Sequence, residues 1–169
     1  QDYVYLLEEA FAKAKERDLN TINLWEKEKN PANFEKIYNT YLQLNNRQEK
    51  IKPLLPLKLL NEGRNAIFPF DNYNEQIVAS KNNLSGYLYA NAKSLLSTSD
   101  KMNFRKAYDD LGYLNEINPN YKNVISLMDE ARSKGTDYVL VNAKNETDKI
   151  IPARLQNDLL DFKIGRAHV

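Results

Sequence analysis

The chain has 169 residues, of which 42% are apolar, enough for one domain or a short solenoid with a sizeable buried core. Its 24 basic and 23 acidic side chains are interleaved rather than segregated, which argues against a nucleic-acid grip. The absence of cysteine excludes disulfides, zinc–cysteine sites and thiol catalysis, and no stretch is long and apolar enough to cross a membrane as a helix.

Asp2 suits the N-cap of a first helix running to Lys29, with Tyr3, Leu6, Leu7, Ala10, Phe11 and Ala14 on one side. The pattern weakens from Asp18 to Asn20 and resumes at Ile22 and Trp25, which leaves one long helix, with room for a bend, or two joined helices, and favours the first. Asn30-Pro31 makes a turn, and Pro31 can open a second helix with the stripe Phe34, Ile37, Tyr38, Tyr41 and Leu44, so residues 2–46 form a helix pair. Between Arg47 and Tyr73 the period is lost among Pro53, Pro56, Gly63 and Pro69. The leucines of IKPLLPLKLL predict a segment packed over the repeat faces, with a short helix after Pro56. Asn74 to Ser97 reads as a long helix with Ile77, Val78, Leu84, Leu88, Ala92 and Leu95 inward.

The clearest signal follows. From Phe104 the apolar residues recur at Ala107, Tyr108, Leu111, Leu114 and Ile117, one helical stripe that ends at Asn118-Pro119. A further helix carries Tyr121, Val124, Ile125, Met128 and Ala131, with Gly135 where a left-handed residue would close the last turn. Beyond it, Asp137 to Ala143 reads as a strand, and Pro152 can open a last helix bearing Leu155, Leu159, Leu160 and Phe162. Lys163 to Val169 matches the translation of a common short-read sequencing adapter and is expected to be a non-native tail. Without Lys163 and Arg166 the balance is 22 basic to 23 acidic, a formal charge of about −1.

The chain also repeats itself. Asn33, Phe34, Lys36 and Tyr38 recur as Asn103, Phe104, Lys106 and Tyr108, and Leu44-Asn45 recurs as Leu114-Asn115, six identities in thirteen positions at an offset of 70. That offset is close to twice a repeat of roughly 34 residues. The stripe Leu88, Ala92, Leu95, followed by Phe104, Ala107, Leu111, Leu114 and Pro119, resembles the tetratricopeptide repeat, in which a small residue marks the close helix crossing and a proline closes the unit. Asn91 stands at a usual leucine position, and the turn Ser97 to Asn103 is about three residues longer than the family's. The resemblance implies a mainly α fold of antiparallel helix pairs stacked as a short solenoid over residues 1–135. A small β-α segment, 136–162, would follow, a cap or the start of a truncated second domain, with 163–169 as the tail. It also implies a partner groove at Tyr89, Lys93 and Ser97, with Leu96 between them.

Catalytic chemistry finds little support. Asp109-Asp110 and Asp129-Glu130 are adjacent on helices, where neighbours diverge by about 100° and cannot flank one bond. Tyr38, Tyr41, Tyr108 and Tyr121 lie in apolar stripes, where packing explains them, and Trp25 aligns with Leu95 under the 70-residue offset. Ser94, Ser97 and Ser99 have no histidine partner outside the tail, whose His168 is the chain's only histidine. Asn83-Leu84-Ser85 and Asn145-Glu146-Thr147 fit glycosylation sequons.

The expectation is therefore a non-enzymatic module without cofactor or metal that binds a protein or peptide, forming the N-terminal part of a longer bacterial protein. The alternative is the accessory domain of an enzyme whose catalytic residues lie beyond Phe162. In general pattern the chain resembles uncharacterised envelope-associated bacterial proteins that carry such repeats ahead of a mixed α and β domain. That resemblance implies a periplasmic or lipid-anchored setting, with the anchor in a segment preceding Gln1.

Overall fold

The computed structural model describes residues 2–138 together with 144, 146, 150, 152, 154 and 155. The strand expected over 137–143 and the helix expected after Pro152 lie largely outside these residues, and the tail 163–169 wholly so. The chain divides into two compact units, Gln1–Gly135 and Thr136–Val169.

The first unit is mainly α. Its helices are α1 (Asp2–Glu28), α2 (Phe34–Ile51), α3 (Asn74–Leu96), α4 (Lys101–Ile117) and α5 (Val124–Gly135). Between α2 and α3 a two-stranded antiparallel ribbon pairs β1 (Lys58–Leu59) with β2 (Arg64–Asn65), setting Lys58 opposite Asn65. Each helix packs against the next in the chain, and α3 also touches α5.

α1 runs unbroken where the apolar pattern lapses, because the inward position there is filled by a carboxylate. Asp18 is buried beside Ile22, and its two oxygens accept from Arg17 and from Arg47 of α2, each at 2.8 Å. The start of the α1 stripe is exposed, however: Tyr3 and Leu6 face solvent, and only Val4, Leu7 and Phe11 join an apolar cluster there. The turn into α2 forms as Pro31 predicts. The Asn30 side chain accepts from the Ala32 N–H, and the buried Asn33 amide donates to Glu28 at 2.7 Å.

Helices α3, α4 and α5 enclose the main core, built from Leu84, Leu88, Ala92 and Leu96, from Phe104, Ala107, Leu111 and Leu114, and from Val124, Leu127 and Ala131, with Tyr38 of α2 joining it. Ala92 and Ala107 are both fully buried, as expected where two helices cross closely. Positions related by the offset of 70 share their burial: Ile22 with Ala92, Ile37 with Ala107, and Leu44 with Leu114. α4 starts earlier than expected because Asp100 caps it, accepting from the Met102 N–H at 3.1 Å.

Three expectations on these helices need correction. α5 begins only at Val124, after a turn in which Asn120 and Lys122 are left-handed, so its inward stripe is Val124, Leu127 and Ala131 while Ile125 is exposed. Val78 of α3 is exposed as well. Gly135 is the last helical residue of α5 rather than a left-handed cap. A Cβ there would lie 3.2 Å from Arg105 Cγ and 3.5 Å from Phe104 Cβ, and the bare backbone lets the Gly135 carbonyl accept from Arg105 Nε at 3.0 Å.

After a short 3-10 turn at Lys52–Leu54 the segment to Asn72 forms a strap, with no helix after Pro56. Its leucines follow a period of two, with Leu57 and Leu59 inward and Lys58 and Leu60 outward, so the chain after Pro56 is extended. Gly63 supplies the positive φ of 65° in the ribbon's turn. The strap packs on α1 and the end of α2 rather than across both helix pairs. Phe68 and Phe70 meet the Phe11 ring edge-on at 5.5 and 5.7 Å, beside Ile51 and Leu59. Polar bonds fasten it: Glu8 pairs with Arg64 and accepts from the Ile67 N–H, Lys15 donates to the Pro69 carbonyl, and the buried Gln48 amide both donates to and accepts from the Asp71 backbone.

Candidate functional site

Of the expected groove residues, Tyr89, Lys93 and Ser97 follow one another at four-residue spacing along one side of α3, while Leu96 turns into the core. Tyr89 is half-buried, its ring edge-on to Tyr121 at 5.8 Å, its hydroxyl donating to Asn123 at 2.6 Å, and the Lys122 ammonium 4.6 Å from its centroid. Lys93 is exposed, 5.8 Å from the same ring. Ser97 caps the end of α3, donating to the Ser94 carbonyl at 2.6 Å. Leu96 is 7% exposed and belongs to the core. Tyr89 and Lys93 already interact with neighbouring side chains of this same chain.

A cleft opens on the other side of α3. Tyr87 is two residues from Tyr89, about 200° around the helix. The cleft is lined by Pro31 and Ala32 of the turn before α2, by Glu35 of α2, by Leu84, Tyr87, Leu88 and Asn91 of α3, and by Lys106 and Asp110 of α4, around a volume of about 240 Å³. It thus draws on both copies of the internal repeat. Leu84 and Leu88 come from the core and form its apolar part. Phe34 meets Tyr87 edge-on at 6.1 Å and steadies the ring.

Its polar part is a bonded pair. Asn91 Nδ2 donates to Asp110 Oδ2 at 2.7 Å, between α3 and α4. Burial pushes the Asp110 carboxyl above the usual carboxylate range. The Asn91 bond and the charge of Lys106 oppose that rise, and Asp109 adds to it. Asn91, at a position where the tetratricopeptide resemblance implies a leucine, thus gives Asp110 a hydrogen-bond partner across the cleft. Asp109 is exposed, as a solvated face requires, whereas its neighbour Asp110 is half-buried.

Other residues with chemical potential are engaged elsewhere. Glu130 pairs with Lys134 at 2.6 Å on the surface of α5. Tyr38 is buried, and Tyr41, Tyr108 and Tyr121 are half-buried in apolar clusters. Trp25 packs beside Ile22, Ile37 and Leu44, with the Lys36 ammonium 5.7 Å from its ring. In the sequon Asn83-Leu84-Ser85 the asparagine is exposed, whereas the serine is fully buried and accepts from Asn118 Nδ2 at 3.1 Å. Asn145 and Thr147 lie outside the described residues. No described group of three or more His, Cys, Asp or Glu side chains is arranged to hold a metal ion, and no described helix is long and apolar enough to cross a membrane.

Comparison with protein-family models, with curated proteins and with solved structures finds no match to this chain.

Proposed function

We propose that residues 1–135 are a tetratricopeptide-like, non-enzymatic module that binds a protein or peptide in the cleft between its two helix pairs. The observation that supports this most is the composition of the cleft: an apolar floor of Leu84 and Leu88, a partly exposed aromatic ring at Tyr87, and polar groups at Asn91, Lys106 and Asp110, contributed by three helices. Such a mixture of apolar area and a few fixed polar groups suits side-chain recognition. A module of this kind belongs to a longer protein of the bacterial cell envelope, in keeping with the general pattern of the sequence.

The test is selection of peptides from a displayed random library on the full chain, followed by affinity measurement on variants. Enriched peptides are expected to lose about 2 kcal/mol of binding on Tyr87→Ala, the loss of a central aromatic contact. They are expected to be unaffected by Lys93→Ala, on the opposite side of α3. Failure to enrich any peptide, or enrichment of peptides indifferent to Tyr87→Ala, would refute the proposal.

A further inference from the structure

We infer that the cleft is a subsite for an arginine side chain of the bound peptide, a deepening that rests on the interaction-module reading above. The argument starts from which polar groups remain available. At the start of α2 the Ala32 N–H is taken by the Asn30 side chain and the Asn33 N–H by the Asn30 carbonyl, so this end of the helix offers an anion no donor from either group. Asn91 commits Nδ2 to Asp110 Oδ2, and no hydrogen bond among the described residues falls on Asn91 Oδ1 or Asp110 Oδ1. Both residues line the cleft, and neither oxygen is a buried atom without a partner, so both acceptors are open to a ligand.

Charge points the same way. The lining holds two carboxylates, Glu35 and Asp110, and one ammonium, Lys106, a net charge of −1. Lys106, one turn before Asp110, acts on it through its charge rather than through a bond, leaving a partly buried carboxylate without an ion-pair partner among the described residues. Burial disfavours its charged form, and a cation placed against it reverses that penalty. A guanidinium meets these conditions better than an ammonium. It is more weakly hydrated, its planar fork can donate to two adjacent oxygens at once, and it stacks on an aromatic face such as that of Tyr87, 36% exposed. The volume of about 240 Å³ lies below the roughly 300 to 1,000 Å³ of small-molecule pockets and suits a single side chain.

Lys106 makes the inference sharp, because it is the competitor of an incoming cation but would be the partner of an incoming anion. The experiment titrates the isotope-labelled full chain with three capped tripeptides, acetyl-Gly-Arg-Gly-amide and its Glu and Leu counterparts, following backbone amide shifts by NMR. The arginine peptide is expected to shift Tyr87, Asn91 and Asp110 saturably and the other two not. Asp110→Asn, isosteric and still able to accept from Asn91, is expected to weaken that binding roughly tenfold. Lys106→Gln is expected to strengthen it. Binding of the glutamate peptide in the cleft with loss on Lys106→Gln, or of the leucine peptide with indifference to Asp110→Asn, would overturn the arginine assignment and leave the module standing. If none of the three perturbs the cleft, the arginine assignment is overturned, and the library selection separately decides the module.

Discussion

Gln48 offers the strongest test of how the strap is held. The residue is 1% exposed, its Nε2 donates to the Asp71 carbonyl at 2.8 Å, and its Oε1 accepts from the Asp71 N–H at 2.7 Å. Gln48→Met keeps the length and approximate volume of the side chain but removes both bonds. Asp71 lies in an exposed residue, so water can recover part of the loss, while each group left unpaired costs about 1 to 3 kcal/mol. The expected destabilisation is about 2 to 4 kcal/mol. Gln43 on the same helix is exposed, and Gln43→Met is expected to stay within about 0.5 kcal/mol. Urea unfolding of both variants reads the difference, provided that the slopes are unchanged so that midpoints report stability. A Gln48→Met protein as stable as the Gln43→Met control would show that the two Gln48–Asp71 bonds do not hold the strap.

Other perturbations probe the remaining layers. Ala107→Leu, at a fully buried position in the α3–α4 core, is expected to cost roughly 1 to 3 kcal/mol by overpacking, whereas Lys106→Leu on the exposed neighbour should stay within about 0.5 kcal/mol in the same urea assay. Phe11→Ala removes the ring against which Phe68 and Phe70 pack and is expected to cost about 3 to 5 kcal/mol in thermal or urea unfolding. Acid should loosen the strap. Glu8 is held below its ordinary value of 4.5 by Arg64 and the Ile67 N–H, and Asp71 below 3.8 chiefly by Lys15. Carboxylates depressed in the fold contribute stability that is present above their ordinary values and lost as pH falls through the folded ones, so melting temperature should drop below about pH 4. The double variant Glu8→Gln with Asp71→Asn should show a flatter acid limb, and an unchanged limb would refute the assignment.

The helices were legible in the sequence because their signals are local. The stripe from Phe104 to Ile117, the turns at Pro31 and Pro119, and the echo of Asn33–Asn45 in Asn103–Asn115 need no knowledge of distant partners. The register of α5 is not legible from its stripe, because Tyr121 lies in the turn before the helix, and counting from Val124 brings Leu127 inward. The strap was illegible for a different reason. Its fastenings join Glu8 to Arg64 and Ile67, Lys15 to Pro69, and Gln48 to Asp71, contacts between residues 23 to 59 apart that no periodicity encodes. The cleft was half-visible. Asn91 stood out as a misfit in a leucine position and Asp110 as one of a carboxylate pair, but their bond appears only once α3 and α4 are packed, and the family's groove positions directed attention to Tyr89 and Lys93 on the opposite side.

The most direct measurement is the set of intermolecular nuclear Overhauser contacts between the full chain and a peptide enriched by selection. Contacts from the peptide to the Tyr87 ring, to Leu88 and to Pro31 are expected, with the peptide's basic side chain beside Asn91. Contacts instead to Tyr89 and Lys93, or to the exposed Tyr3 and Leu6 of α1, would contradict the cleft as the binding site.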